Sequence, residues 1–269
     1  MYYPKQYHFS INSKSKLRTL WNILECKIFY QPVLEYSLRI LKSIIDVKPE
    51  KGTVLDIGCG NGSRISKISS YGYVVEGIDF VEENVYYAKN KLKLNVRQAD
   101  IEAEGILSKI YSVIMVFWVL EHLVKPKELI KKVYTALLPG GWGIFAVPLA
   151  DSLSSALLGK SWTQIKEAPR HTNIPTQKGM VLLLNSLGFE KVRIIPALPI
   201  ESAVDIALSL WPRGLLFKSI NRNVFLGIAD RIIVGILTAV FFIPVFLLNA
   251  IYIKTGLVIF CAQKTDRYL

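Results

Sequence analysis

The stretch Val54-Leu55-Asp56-Ile57-Gly58-Cys59-Gly60-Asn61-Gly62-Ser63 decides the fold of this chain. Val54, Leu55 and Ile57 make a short apolar run that suits a buried strand, and Gly58, Gly60 and Gly62 crowd the turn behind it. Glycine is needed where any side chain would hold the backbone away from a ligand. A helix over 63–70 would aim its first amides into the same turn. Strand, glycine turn and helix together form a nucleotide-type cofactor site at the end of a first parallel strand.

Dinucleotide-binding turns follow G-x-G-x-x-G, with the pyrophosphate on the helix dipole. Here the third glycine arrives one residue early, and Ser63 stands where that pattern wants it. Asp56, at the strand end, would repel a diphosphate and suits a ligand that carries an ammonium group. The string resembles the first motif of the class I methyltransferases (type 11/23-like) that use S-adenosylmethionine, a cofactor with a zwitterionic tail, a sulfonium and no phosphate. The resemblance implies cofactor contacts from Asp56, Gly58, Cys59, Gly60 and Gly62.

The next segments extend the same pattern. A second strand over Val74–Asp79 ends on an acidic residue about twenty positions beyond the glycine turn, where a carboxylate accepts ribose hydroxyls. The resemblance implies that Phe80 packs on adenine, that Asp100 meets the adenine amino group, and that Ile101 lies beside it. Further strands are expected over 95–100, 112–117, 143–147, 189–195 and 257–263, with helices over 82–92 and 126–137. Leu138-Pro139-Gly140-Gly141 is a turn similar to one in that family, whereas Tyr111-Ser112 departs from its usual aromatic-Asp pair. Strands that alternate with helices of ten or more residues imply a parallel sheet covered on both faces. The expected fold is α/β, a Rossmann-like seven-stranded sheet, mostly parallel, whose last strand is antiparallel. The expected divisions are a helical cap over 1–50, a methyltransferase domain over 51–197 and 255–269, and an apolar insert over 198–254.

Composition sets the surroundings. The chain has 269 residues, enough for one good core with additions. Cys26, Cys59 and Cys261 are odd in number and far apart, which implies no disulfide framework and fits a reducing compartment. The start lacks the charged and apolar regions of a signal peptide. A formal net charge of +12 admits nucleic acid or anionic lipid as a partner. No RNA-binding aromatic motif or zinc-ligand spacing is present, and Arg213, Lys218, Arg222 and Arg231 flank apolar stretches. That arrangement favours an anionic membrane surface over nucleic acid.

Residues 232–253 form a run of 22 without one charged side chain. As a straight helix the run would reach about 33 Å, the thickness of a hydrocarbon core. A single crossing conflicts with the fold, because its last two strands pair antiparallel and the chain between them must return to the side it left. Two arrangements answer this. In one the insert dips in and out, broken near its middle by Pro244. In the other it lies at the interface, with 203–217 as an amphipathic partner helix that carries Asp205 and Ser209 on one face. Burial in a homodimer interface is the bland alternative. The expected location is the cytoplasmic face of the membrane, with monotopic or re-entrant association.

Methyl transfer from a sulfonium needs placement of the acceptor and exclusion of water, and a base only when the acceptor must lose a proton. Glu121-His122 follows the fourth strand, at the edge where ligands bind in such sheets. Trp118 stands three residues before Glu121, where the ubiquinone-pathway O-methyltransferases carry a further metal-holding glutamate, so no metal is expected. Trp162 with Pro169-Arg170-His171 resembles a pattern of a methyltransferase subgroup associated with surface-polysaccharide or lipid-linked sugar biosynthesis. It implies an acceptor site with Trp162 and Arg170 on the substrate and His171, or else His122, as base. A loop-fixing role is open for both histidines, as is packing for Tyr36 and Arg39 near the cofactor's tail.

The expectation is therefore S-adenosylmethionine-dependent methylation of a hydroxyl on an amphiphilic acceptor, a polyprenyl-linked sugar first and a quinone or other lipid second. A nicotinamide oxidoreductase is disfavoured by the glycine spacing and by Asp56. A non-catalytic adaptor that binds the cofactor at the membrane is the other rival.

Overall fold

The structure is a computed structural model that describes residues 27–28, 31–48, 52–106, 111–211, 224–251 and 253–265. The expectations for Cys26, Arg213, Lys218 and Arg222 lie outside these residues, as does most of the helical cap. Seven strands form one sheet: β1 (Thr53–Ile57), β2 (Val74–Asp79), β3 (Asn95–Gln98), β4 (Tyr111–Phe117), β5 (Leu137–Pro148), β6 (Phe189–Pro196) and β7 (Leu257–Lys264). Their spatial order is β3-β2-β1-β4-β5-β7-β6. The first five run parallel, and β7 lies antiparallel between β5 and β6.

Alternation along the central strands divides the core between two faces. Ile114 and Val116 of β4 join Leu55, Phe145 and Phe260 on one face. There they meet Leu129, Ile130 and Val133 of α4 (Pro126–Ala136), and Met180 and Leu184 of α7 (Gln177–Ser186). Val113 and Met115 point the other way, to Val54, Ile144 and Ile259. That face is covered by Leu38 of α1 (Gln31–Arg39), by Ile40 and Leu41 of the π-helical turn that follows, and by Ile68 of α2 (Ser63–Ser69). A continuous apolar run such as Val113–Phe117 is what burial on both faces demands.

Between β2 and β3 runs α3 (Glu82–Asn90), and short helices α5 (Leu153–Leu158) and α6 (Thr163–Lys166) follow β5. At the start of β4, Tyr111 donates to Glu76 over 2.8 Å. The strand boundaries move little from expectation, except that β5 already begins at Leu137, so the Pro-Gly-Gly turn is part of the strand.

Because β6 is antiparallel to β7, and β7 to β5, β6 runs parallel to the first five strands. The insert therefore leaves the sheet at the carboxyl ends of the strands and re-enters at that same edge. It holds α8 (Pro199–Leu210) and α9 (Val224–Ala250), packed on one another. Pro244 lies inside α9 and does not end it, which corrects the expectation of a break there. The partner helix also starts earlier than expected, at Pro199, which sits at its first position with no amide to waste.

The polar face of α8 is turned inward. Asp205 accepts from Trp162 Nε1 at 2.6 Å and from Gln164 Nε2 at 2.7 Å. Ser209 accepts the Thr163 amide at 2.8 Å, and Thr255 donates to Ser202 and to Asn249 of α9. Asp205 and Ser209, spaced to share one helix face, thus pin the insert to the segment after β5.

Burial lifts the Asp205 carboxyl from 3.8 to about 6, against the pull of its two donors. The folded state then binds this proton more tightly than the unfolded chain. The corresponding stability is complete below pH 4 and lost as pH rises through about 6, a change on the order of 2–3 kcal/mol. Chemical denaturation of Asp205→Asn against the parent across that window is expected to show a flatter pH slope in the variant, at lower overall stability.

Candidate functional site

The site is assembled from loops at the carboxyl ends of β1 to β5. After β1, the glycine turn is fastened to β2, with the Gly58 amide on the Ile78 carbonyl at 2.7 Å and the Gly60 amide on Asp79 Oδ2 at 2.8 Å. Gly62 has a φ of +83°, and a Cβ there would lie 2.7 Å from Leu94 and 2.9 Å from Ala88. At Gly60 a Cβ would meet nothing within 4 Å among the described residues, so there the turn faces open space. That opening, with a carboxylate behind it, is a cradle that a small ligand fills and a side chain would block.

Asp79 is buried and its other oxygen accepts the Val81 amide at 2.9 Å. Phe80, next to it in the chain, is an exposed aromatic. Beyond β3, Asp100 accepts the Glu102 amide at 3.0 Å and Ile101 is buried. The Cys59 thiol is buried against β2, where burial pushes it far above its usual range, so it packs and does not ionise.

Two expected ligand contacts have other occupations. Asp56 is fully buried beneath the turn, and both its oxygens are taken by Arg64 Nη1, at 3.0 and 3.2 Å. The Arg64 guanidinium also lies 4.2 Å from the centre of the Phe117 ring. Asp56 thus supports the turn from below, with Arg64 as its cation. Trp162 is fully buried with its indole N–H held by Asp205, and it offers no surface to a ligand. Sequence spacing gave no sign of either partner, apart from the two polar residues on an otherwise apolar helix. Tyr36 donates to the Pro196 carbonyl at 3.0 Å, tying α1 to the end of β6.

The Pro-Arg-His segment is laid along the turn after β4. Thr172 donates its amide to the Glu121 carbonyl at 2.8 Å and its hydroxyl to Leu123 at 2.6 Å, and Asn173 Nδ2 donates to Leu123 at 2.6 Å. This seam, which sequence reading missed, brings together residues fifty positions apart. The His122 and His171 rings are 4.7 Å apart between centroids. His122 Nδ1 lies 3.2 Å from the Arg170 carbonyl, and His171 Nδ1 lies 2.8 Å from the Gln164 carbonyl. A carbonyl only accepts, so each Nδ1 bears the proton and each Nε2 a lone pair. Arg170 forms an ion pair with Glu167.

Glu121 completes the cluster. It is buried, and its Oε2 has no hydrogen-bond partner among the described residues. Burial raises its carboxyl to about 8, while burial and the neighbouring His122 lower His171 to about 4. Both imidazoles are neutral at neutral pH, and His171 holds a proton too weakly to serve as a strong base alone.

The Asp56–Arg64 pair can be tested directly. Arg64→Ala leaves a sealed carboxylate without its cation, and urea denaturation is expected to show a loss of about 3–5 kcal/mol. The double variant Asp56→Asn with Arg64→Met is expected to recover most of it.

Comparison with known proteins agrees with this geometry. The family model described as "Methyltransferase domain" matches residues 30–194, more than half of the chain. The ubiquinone biosynthesis O-methyltransferase of Rickettsia prowazekii is 32% identical over 118 residues, which cover 42% of this chain and 46% of that protein. The chain thus spans less than half the length of the curated relative it matches. Among solved structures, a methyltransferase from Archaeoglobus fulgidus aligns with a TM-score of 0.53 at 18% identity, over 91% of this chain and 99% of that one. A phosphoethanolamine N-methyltransferase of Haemonchus contortus, crystallised with S-adenosyl-L-methionine, aligns with a TM-score of 0.58 at 18% identity, over 86% of this chain and 52% of that one. The glycine turn with its open face, the acidic end of β2, the sheet order and the matched family model together make this chain a member of the class I S-adenosylmethionine-dependent methyltransferases.

Proposed function

We propose that the chain transfers the cofactor's methyl group to a hydroxyl of an amphiphilic acceptor held at a membrane surface. The observation that carries this reading is topological: the apolar insert emerges at the strand edge that holds the glycine turn, Asp79 and the Glu121–His122 turn. An acceptor whose tail stays among lipids reaches the site without leaving the surface. The relatives' name, ubiquinone biosynthesis O-methyltransferase, favours a quinone-type ring hydroxyl over a polyprenyl-linked sugar, which is the second reading and rests on the Trp162 and Pro169-Arg170-His171 resemblance alone.

The membrane part of the proposal rests on α9. Ala229–Ala250 has a mean hydropathy of 2.6 and only 17% of its most apolar window is buried. Ile232, Ile236, Val240, Ile243 and Leu247 recur every three or four residues and are all exposed, with Phe242 and Phe246 stacked beside them. This stripe covers one face of the helix while the other packs on α8. A helix open along one side for its whole length suits the interface plane of the cytoplasmic leaflet, the monotopic of the two expected arrangements.

In the proposed mechanism Gly60 and Asp79 would hold the cofactor, and Phe80, Ile101 and Asp100 would be the residues for its adenine. The bound sulfonium supplies a methyl carbon already activated for in-line displacement. The chain's own task is to place the acceptor oxygen and exclude water. A hydroxyl must also lose its proton around the transition state. His171, or else His122, is the group placed to receive it at Nε2, and Arg170 borders the same segment.

Three measurements test this reading. Asp79→Ala is expected to weaken S-adenosylhomocysteine binding by about 10–100-fold in calorimetry, the range for lost charge-assisted hydrogen bonds. Unchanged affinity would remove Asp79 from the cofactor site. Replacing Ile236 and Ile243 together by glutamate is expected to abolish co-flotation with anionic liposomes while cofactor affinity stays the same. Finally, labelled methyl donor incubated with the protein and source membranes is expected to mark a lipid-extractable product. A label found only in water-soluble compounds would overturn the lipid reading.

A further inference from the structure

We propose that Glu121, His122 and His171 form a binding site for one divalent transition-metal ion of the zinc and iron(II) class. One ligand atom from each residue lies within 4.8 Å of the other two. An ion held at about 2.0–2.2 Å from each donor sets them roughly 3–4 Å apart, so a small inward rotation closes the set. Two imidazoles with one carboxylate is a donor group that selects borderline metals over magnesium or calcium, which prefer oxygen alone.

Two separate features point to a cation. The buried Glu121 Oε2 has no hydrogen-bond partner among the described residues, a cost that folded proteins seldom leave in place. Both histidines hand their Nδ1 proton to a backbone carbonyl, at 3.2 Å to Arg170 and 2.8 Å to Gln164. That is how metal-ligating histidines are oriented, since the outer hydrogen bond fixes the tautomer and presents Nε2.

The seam of Thr172 and Asn173 on the β4 turn brings His171 to Glu121 and His122. With three protein ligands the ion would keep open positions, the condition under which a bound oxygen loses its proton readily. This inference concerns the chain alone and stands apart from the acceptor named above.

Calorimetric titration of the full-length, chelator-stripped protein with Zn²⁺ tests it without any methyl acceptor. One Zn²⁺ per chain is expected, with affinity falling roughly 100-fold or more in His171→Ala and Glu121→Gln. S-adenosylhomocysteine binding, read on the same samples, is expected to stay within about twofold and thereby to report intact folding. Should a variant fail that control, Co²⁺ added to the parent protein provides a second readout, with visible absorption of a low-coordinate, nitrogen-ligated ion that Zn²⁺ displaces. Zn²⁺ binding untouched by the substitutions, or colourless Co²⁺ protein, overturns the proposal. A protein that binds Zn²⁺ as expected yet labels no lipid would leave the metal site standing and remove only the acceptor.

Discussion

The placement of β7 between β5 and β6 governs the rest of the molecule. Its antiparallel run means that β6 ends, and β7 begins, at the carboxyl edge of the five parallel strands. Any chain inserted between them must stand on the edge where the glycine turn opens. A segment as apolar as α9 could not be placed there by chance of packing alone, because it must share that edge with buried polar groups. The fold reconciles the two by turning the hydrophilic side of α8 toward the catalytic domain and leaving the greasy side of α9 outside.

Buried polar contacts do the fastening. Trp162 reaches Asp205, Thr163 reaches Ser209, and Thr255 joins Ser202 to Asn249. Each such group would be costly without its partner, so together they fix one register between the insert and the segment after β5. That same segment continues into Arg170 and His171, which lie on the β4 turn through Thr172 and Asn173. The apolar helix α9 and the histidine pair are therefore parts of one connected unit. A partly buried ion pair under the glycine turn, Arg64 with Asp56, holds the other half of the site in the same manner.

Much of the fold was legible because its signals are local. The Val54–Ser63 string marks its own strand, turn and helix, and Val74–Asp79 ends where the second strand ends. Asp79 and the glycines fall at the site because strand ends converge there in any sheet of this order. Asp56 and Trp162 behaved differently from expectation. Motif position says which residues lie near a ligand, but not whether a neighbour such as Arg64 or Asp205 has already taken their polar atoms. Pro244 was likewise read as a break, yet α9 passes through it, since packing on α8 outweighs one missing amide bond.

The sequence by itself determined the cofactor class, the strand sequence and the presence of a segment too apolar for an ordinary soluble surface. Those properties depend on residue type and short-range spacing. Only the tertiary structure decided that His171 meets His122 and Glu121, that Asp56 belongs to Arg64, and that the polar face of α8 points inward. Each of these joins positions whose separation along the chain carries no period, and hydrogen-bond partners across such distances are chosen by the way the sheet and its insert close upon one another.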